Sequence, residues 1–191
     1  MAIGLRHSDV PNLKKDGSAG SAQSSAEEAA CIGETPPSED LADIKSATFV
    51  GPEPTSLTVV SDTEIAASAA VAANNLAAGR RPRALTCVRI YGGRELRTSL
   101  PKGQSVTIHT AWLPAVVSGA DGVAAVRLKA VLHVKQGLLT VSGALYFDFV
   151  EFAYGQAEVS LDVVKTGSKP SAVIERQLAG LLVARARAAI G

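Results

Sequence analysis

This chain has almost no excess of basic over acidic residues, and it has few aromatic residues. Its 191 residues carry 19 Lys and Arg against 18 Asp and Glu, a net charge of +1, and 4% of them are aromatic. Proteins that bind the phosphate backbone of nucleic acids usually carry a clear positive excess, so the balance argues against a nucleic-acid partner. With so few rings, most of the 47% hydrophobic content comes from Ala, Val and Leu. A single core of ordinary size is expected for this length.

Long apolar runs are missing as well. No stretch has the roughly 18 consecutive apolar residues that a membrane-spanning helix needs. Residues 1–7 lack the positively charged start and the apolar segment of a secretory signal. We therefore expect a soluble chain without its own signal sequence, in which any membrane attachment would depend on an anchor absent from this chain.

Motifs of the common catalytic and metal sites are also missing. The chain has no GxSxG, Walker A or GxGxxG motif and no HxxxH or CxxC pair. Its three histidines, His7, His109 and His133, are too scattered for a local metal site, so no metal and no cofactor are predicted. His109 and His133 could meet across a sheet, but solvent-facing strand histidines are the simpler interpretation.

Two carboxylates share one predicted strand. Asp148 and Glu151 are three residues apart, and because side chains alternate along a strand they should face opposite sides of the sheet. They cannot form an acid/base pair from that strand alone. Asp148 is instead expected to pair with a nearby Lys or Arg.

Helices dominate the predicted first half of the domain. Residues 61–64, Ser-Asp-Thr-Glu, match a capping box and predict a helix that begins there and ends at Gly79. Pro82 predicts the start of the next helix, before the glycines at 92–93. Upstream, the pattern predicts a helix over 26–33, a helical turn over 38–42, and short strands over 46–50 and 56–60.

Alternating patterns dominate the second half. They predict strands over 105–112, 123–134, a run ending at Phe152, and 157–163, with turns at 135–137 and 154–156. A closing helix over 171–189 carries a stripe of Ile174, Leu178, Leu181 and Leu182, expected to pack on the sheet. Separate runs of helices and strands indicate an α+β fold, an antiparallel sheet covered by helices. Residues 25–191 are predicted to form this single domain, with 1–24 a flexible N-terminal segment rich in Gly and Ser.

Two cysteines allow one internal disulfide. Cys31 and Cys87 are separated by 56 residues, and closing such a loop would stabilise the fold by roughly 4 kcal/mol. Two unrelated buried thiols would be equally compatible with the count alone.

Several short pieces of sequence occur in a suggestive order. In chain order they are HSDVP at 7–11, AACIG at 29–33, SATF at 46–49, VVSDTEIA at 59–66, LTC at 85–87, YFDF at 146–149, YGQ at 154–156 and IERQLA at 174–179. Together they resemble actinobacterial secreted proteins and lipoproteins with a PsbP/Mog1-like fold, a group that includes sensor-like extracellular domains. The resemblance implies a PsbP/Mog1-like fold, a disulfide between Cys31 and Cys87, and export to an oxidising compartment.

The function expected from this resemblance and from the missing catalytic motifs is a non-enzymatic extracytoplasmic binding module. Its partner would be a hydrophobic small molecule or lipid, or another protein of the cell envelope. Tyr91, Trp112, Phe147 and Phe149 are candidates to line an apolar pocket between the sheet and its helices, although they could instead fill the core. Two alternatives stay open: a protein-interaction or assembly subunit without a small ligand, and an enzyme whose site is built from dispersed residues.

Overall fold

A computed structural model of the protein describes residues 3–16, 26–35, 41–52, 56–114, 117–136 and 139–190. In these residues an eight-stranded antiparallel sheet combines with four α-helices, which confirms the predicted α+β class. The elements are β1 (Lys14–Asp16), α1 (Ala26–Ile32), β2 (Ala42–Lys45), β3 (Thr48–Val50), β4 (Leu57–Ile65), α2 (Ala69–Gly79), α3 (Pro82–Ser99), β5 (Gln104–Trp112), β6 (Gly122–Gln136), β7 (Leu139–Tyr154), β8 (Ala157–Thr166) and α4 (Ala172–Ile190).

The sheet runs in the order β1-β3-β4-β8-β7-β6-β5, with β2 also paired to β4. The meander from β5 to β8 forms the side of the sheet that ends at the edge strand β5, as the alternating pattern predicted. The turn between β7 and β8 contains Gly155 with a φ of 57°, a left-handed conformation that glycine adopts without strain. The turn was predicted at 135–137, but β6 continues to Gln136, so the chain has not yet turned there. Residue 137 lies outside the described residues.

One face of the sheet packs against α4 and forms the main core. Phe49, Phe152 and Leu161 of the sheet are buried with Leu178 and Leu182 of the helix. Each such side chain contributes about 1.5–3 kcal/mol through burial. The predicted stripe is therefore correct for Leu178 and Leu182, whereas Ile174 and Leu181 lie at its exposed margin.

The opposite face carries α1, α2 and α3. Here most of the packing residues of α2 and the sheet are alanines: Ala72 packs with the larger Leu76 on Ala124 and Ala153 of the sheet. Helix α3 covers β5 and β6 through a second cluster that contains Ile108, Leu128 and Ala130. The predicted helix end at residues 92–93 is wrong, because these glycines bring α3 close to the sheet. A Cβ on Gly92 would lie 2.8 Å from Leu128 Cδ1.

The helix predicted from the capping box at 61–64 is also wrong. These residues belong to β4, which pairs with β8 over nine residues. Tertiary pairing outweighs the local capping preference here. The Ser61 hydroxyl accepts from the Leu5 amide, and the helix begins eight residues later, with Ser68 as its N-cap. The helical turn predicted at 38–42 falls largely outside the described residues, and Ala42 begins β2.

Residues 3–16 belong to the domain, which corrects the prediction of a flexible segment over 1–24 for that part. Ile3 is fully buried and Leu5 nearly so, both in the core beneath α4. The Arg185 guanidinium donates to both carboxylate oxygens of Asp9 at 2.8 Å and to the Gly4 carbonyl. Apolar side chains and this ion pair thus anchor the segment. Residues 17–24, with the Gly/Ser run, lie outside the described residues.

Candidate functional site

A cavity of about 260 Å³ lies between the sheet and helices α1, α2 and α3. This volume is just below the range of about 300–1,000 Å³ typical of small-molecule pockets. Part of the lining is apolar and comes mainly from the helices, β6 and β7. The larger apolar lining residues are Ile32, Leu76, Val88, Val126, Phe149 and Phe152.

The rest of the lining is acidic, and we call this site the acidic cavity. Eight lining residues are carboxylic acids, and none of the residues described along the cavity is Lys, Arg or His. The acids are Glu28, Glu34, Asp62, Glu64, Glu95, Glu151, Glu158 and Asp162. At its margin, Lys45 Nζ on β2 lies 3.9 Å from the Asp62 carboxylate.

Strand alternation explains how these acids come together. Asp62 and Glu64 on β4 and Glu158 and Asp162 on β8 occupy alternate positions, so they project from the same face. Glu64 and Glu158 are direct cross-strand partners, an arrangement of like charges that disfavours pairing. Intervening residues of β8, such as Leu161 and Val163, face the core under α4 instead.

Two further carboxylates approach each other beside α2. Glu151 projects from the central strand β7, and Glu34 follows α1. A Cβ built on Gly79 would lie 3.3 Å from Glu151 Oε2 and 3.8 Å from Glu34 Oε1. The absent side chain at Gly79 therefore leaves the space in which the two carboxylates lie.

Burial and mutual repulsion shift the titration of these acids. Desolvation, followed by the charges of Glu95 and Glu151, raises the pKa of Glu28 to about 7. Desolvation, followed by the charge of Glu151 and other cavity carboxylates, raises the pKa of Glu34 to about 9. Desolvation also raises the pKa of Glu151. Glu34 and part of Glu28 therefore hold their protons at neutral pH.

The wall formed by α1 is fixed by a disulfide. Cys31 and Cys87 are bonded, with their Cα atoms 5.9 Å apart, which ties α1 to α3. The segment after α1 is held by Asn75, whose Oδ1 accepts from the Thr35 amide at 2.8 Å and whose Nδ2 donates to Glu158 at 3.0 Å. These contacts hold the acids of this wall over the cavity.

The four aromatic residues proposed for a pocket lie in different places. Phe149 lines the acidic cavity, and Phe147 stacks against it outside the lining, with centroids 6.4 Å apart. Tyr91 packs beside the disulfide, under the Arg94 guanidinium. Trp112 ends β5 and is 40% exposed. The acids that dominate the site were missed, because alternating polar residues in a strand usually indicate a solvated face.

Asp148, His109 and His133 do not converge. Asp148 faces α4, on the opposite side of the sheet from Glu151, where it is fully buried and ion-paired with Arg127. Both predictions about Asp148 are thus confirmed. His109 lies opposite Lys129, and His133 lies within 2.8 Å of the Ser142 hydroxyl. No group of three or more potential metal ligands is found among the described residues.

A buried acid neighbours the Arg127–Asp148 pair. Glu175 of α4 is not part of the predicted apolar stripe, yet it is only 9% exposed. Desolvation, followed by its interaction with Asp148, raises the pKa of Glu175 to about 7. A protonated Glu175 can donate to the Asp148 carboxylate, which makes this network structural.

Within the described residues, no helix is both long and apolar enough to cross a membrane. The chain matches no protein-family model, no curated protein and no solved structure. The α+β fold therefore rests on the structure itself, and the similarity to PsbP/Mog1-like proteins stays a prediction.

Proposed function

We propose that this protein is a non-enzymatic extracytoplasmic binding module that holds a small organic molecule in the acidic cavity. The observation that carries the proposal is the cavity itself, which combines apolar walls with eight carboxylic acids. Protein interiors are normally packed as densely as organic crystals, so a space of this size between a sheet and its helices calls for a role. Pockets with mostly apolar walls and a few polar groups are the usual binding sites for small molecules.

The energetic disadvantage of the site supports binding over a purely structural role. Glu64 opposite Glu158, and Glu34 close to Glu151, place like charges together where they oppose folding. Departures from stability rules of this kind are expected at functional sites.

The disulfide supports an extracytoplasmic location. Disulfides persist in oxidising compartments and are rare in the cytosol. The bond between Cys31 and Cys87 joins two walls of the acidic cavity, so an oxidising environment would also maintain the binding site. This is consistent with an extracellular protein.

A cavity-filling variant tests the proposal. Ser160 lies on the cavity floor, and Ser160→Phe would fill the space with a residue that suits a strand. Val164→Phe, on the same face of β8 but outside the lining, is the matched control. After incubation with a metabolite and lipid extract, native mass spectrometry should show a small-molecule adduct on the wild type and on Val164→Phe, but not on Ser160→Phe. A wild-type protein that acquires no adduct would contradict the proposal.

A further inference from the structure

We infer that the acidic cavity binds an organic cation with an apolar body, such as a primary or quaternary amine attached to a ring or short hydrocarbon chain. The inference rests on the proposed function and names the class of ligand. It also differs from the purely hydrophobic ligand expected from the sequence.

The charge of the lining favours a cation. Eight acids and no basic residue line the described part of the cavity. Lys45 approaches its margin beside Asp62, and Arg81 Nη1 would lie 3.8 Å from a Cβ on Gly33, between the lining residues Ile32 and Glu34. A positive charge placed among these carboxylates gains Coulomb energy that is larger than in bulk water, because the protein around the site lowers the effective dielectric constant. The same carboxylates would repel an anionic ligand.

The spread of the carboxylates favours an organic cation over a bare metal ion. The acids come from β4, β7, β8, α1, α3 and the segment after α1, and no three described ligands cluster closely enough to hold a metal. Hard metal cations need several oxygens at about 2.0–2.6 Å around a single point. An ammonium group can instead accept diffuse stabilisation from carboxylates on several sides.

The apolar part of the lining favours a ligand with a hydrophobic body. Val126 and Phe149 of the sheet face Val88 of α3 across the cavity, while the acids of β4 and β8 lie on the other half of the floor. A ligand with its hydrocarbon part against β6 and α3 would point its cation toward β8. Phe149 lies directly opposite Asp162 in the strand register, at the boundary between the two halves.

Release of protons is consistent with cation binding. Glu28 and Glu34 retain protons near neutral pH, because burial and neighbouring carboxylates raise the pKa of each. The carboxylates that raise these two pKa values are Glu95 on α3, Glu151 on β7, Glu158 on β8 and Glu64 on β4, and Glu28 itself acts on Glu34. A basic group lies near the same segment, since Arg81 Nη1 would be 3.8 Å from a Cβ on Gly33. A bound cation would relieve this repulsion, so binding should release protons.

Three soluble probes of similar size and a fourth without a ring test the inference by isothermal titration calorimetry. Phenethylammonium is the cation, 2-phenylethanol the neutral analogue and 3-phenylpropionate the anion. We expect phenethylammonium to bind at least tenfold more tightly than 2-phenylethanol, and 3-phenylpropionate not to bind. Spermidine, a cation without a ring, should bind more weakly than phenethylammonium.

Two variants locate the interaction. Glu151→Gln should weaken phenethylammonium binding severalfold and leave 2-phenylethanol binding unchanged. Glu27→Gln is the matched control, since Glu27 lies on α1 outside the cavity lining and pairs with Arg94; it should leave both affinities unchanged.

The outcomes separate this inference from the proposed function. If 2-phenylethanol or 3-phenylpropionate binds as tightly as phenethylammonium, the inference is overturned and the binding module stands. If no probe binds but the wild type acquires an extract adduct that Ser160→Phe lacks, the cation class is again wrong and the binding module stands. If no probe binds and the wild type acquires no adduct from the extract, both the cation inference and the proposed binding module are wrong.

Discussion

The two faces of the central sheet are built from the same strands but differ in almost every physical property. The face under α4 packs large apolar side chains, and its buried Asp148 has a partner in Arg127. The face under α1, α2 and α3 packs alanines and some larger residues, such as Leu76 and Leu128, around a cavity of about 260 Å³ lined by acids. The first face supplies the stability that allows the second to keep unfavourable charges together.

The disulfide lies only on the cavity face, so removing it should produce the largest difference in stability between the two faces. The double variant Cys31→Ser, Cys87→Ser should lose roughly 4 kcal/mol of unfolding free energy, as the loop-entropy model gives for a 56-residue separation. Denaturant unfolding measures the loss. Hydrogen exchange should accelerate in α1 and remain slow in α4; equal acceleration in both helices would contradict the division.

Asp148 and Glu151 sharpen the comparison, because they lie three residues apart on opposite faces of β7. Asp148→Ala leaves the half-buried Arg127 without this carboxylate and should lower the unfolding free energy by about 3 kcal/mol. Glu151→Ala removes an exposed carboxylate that lies among like charges, so its effect should be below about 1 kcal/mol or stabilising. Urea denaturation at pH 7 measures both variants. Similar losses in the two would contradict the proposed division of stability and binding between the two faces.

The smallest expected effect is the pH dependence of the empty cavity. The pKa of Glu34 is about 9 and that of Glu28 about 7 in the folded protein, both above the ordinary 4.5. A raised folded pKa means that stability is fully present below about pH 4.5 and is lost as pH rises through about 7 and then 9. The melting temperature should therefore fall between pH 5 and 9.

Glu34→Gln should flatten that decline and raise the melting temperature at pH 8 by a few degrees, since about 1 kcal/mol corresponds to roughly 2–4 °C in a domain of this size. Differential scanning calorimetry measures the shift. Glu175 on the α4 face has a pKa of about 7 and adds a decline of the same sign. Glu175→Gln should therefore remove only the part of the decline in melting temperature between about pH 5 and 7. An unchanged pH profile of the melting temperature in Glu34→Gln would contradict the raised pKa of Glu34.

Local sequence patterns correctly predicted those helices and strands whose tertiary contacts agree with the pattern. The meander from β5 to β8 follows from alternation, and α1 and the start of α3 follow from capping and Pro82. The opposite orientation of Asp148 and Glu151 follows from the period of a strand. The α2 start was misplaced because pairing of β4 with β8 outweighed a local capping box.

The amino-acid sequence by itself determined the α+β class and the alternation of polar and apolar positions along β8, because side-chain direction in a strand depends only on its period of two. Tertiary structure alone decided that the polar positions of β4 and β8 are covered by helices rather than by water. Glu34, Glu64 and Glu151 are far apart in the chain, so only long-range packing brings them together. Their close approach creates both the acidic cavity and its raised pKa values, since burial and repulsion depend on distance in space.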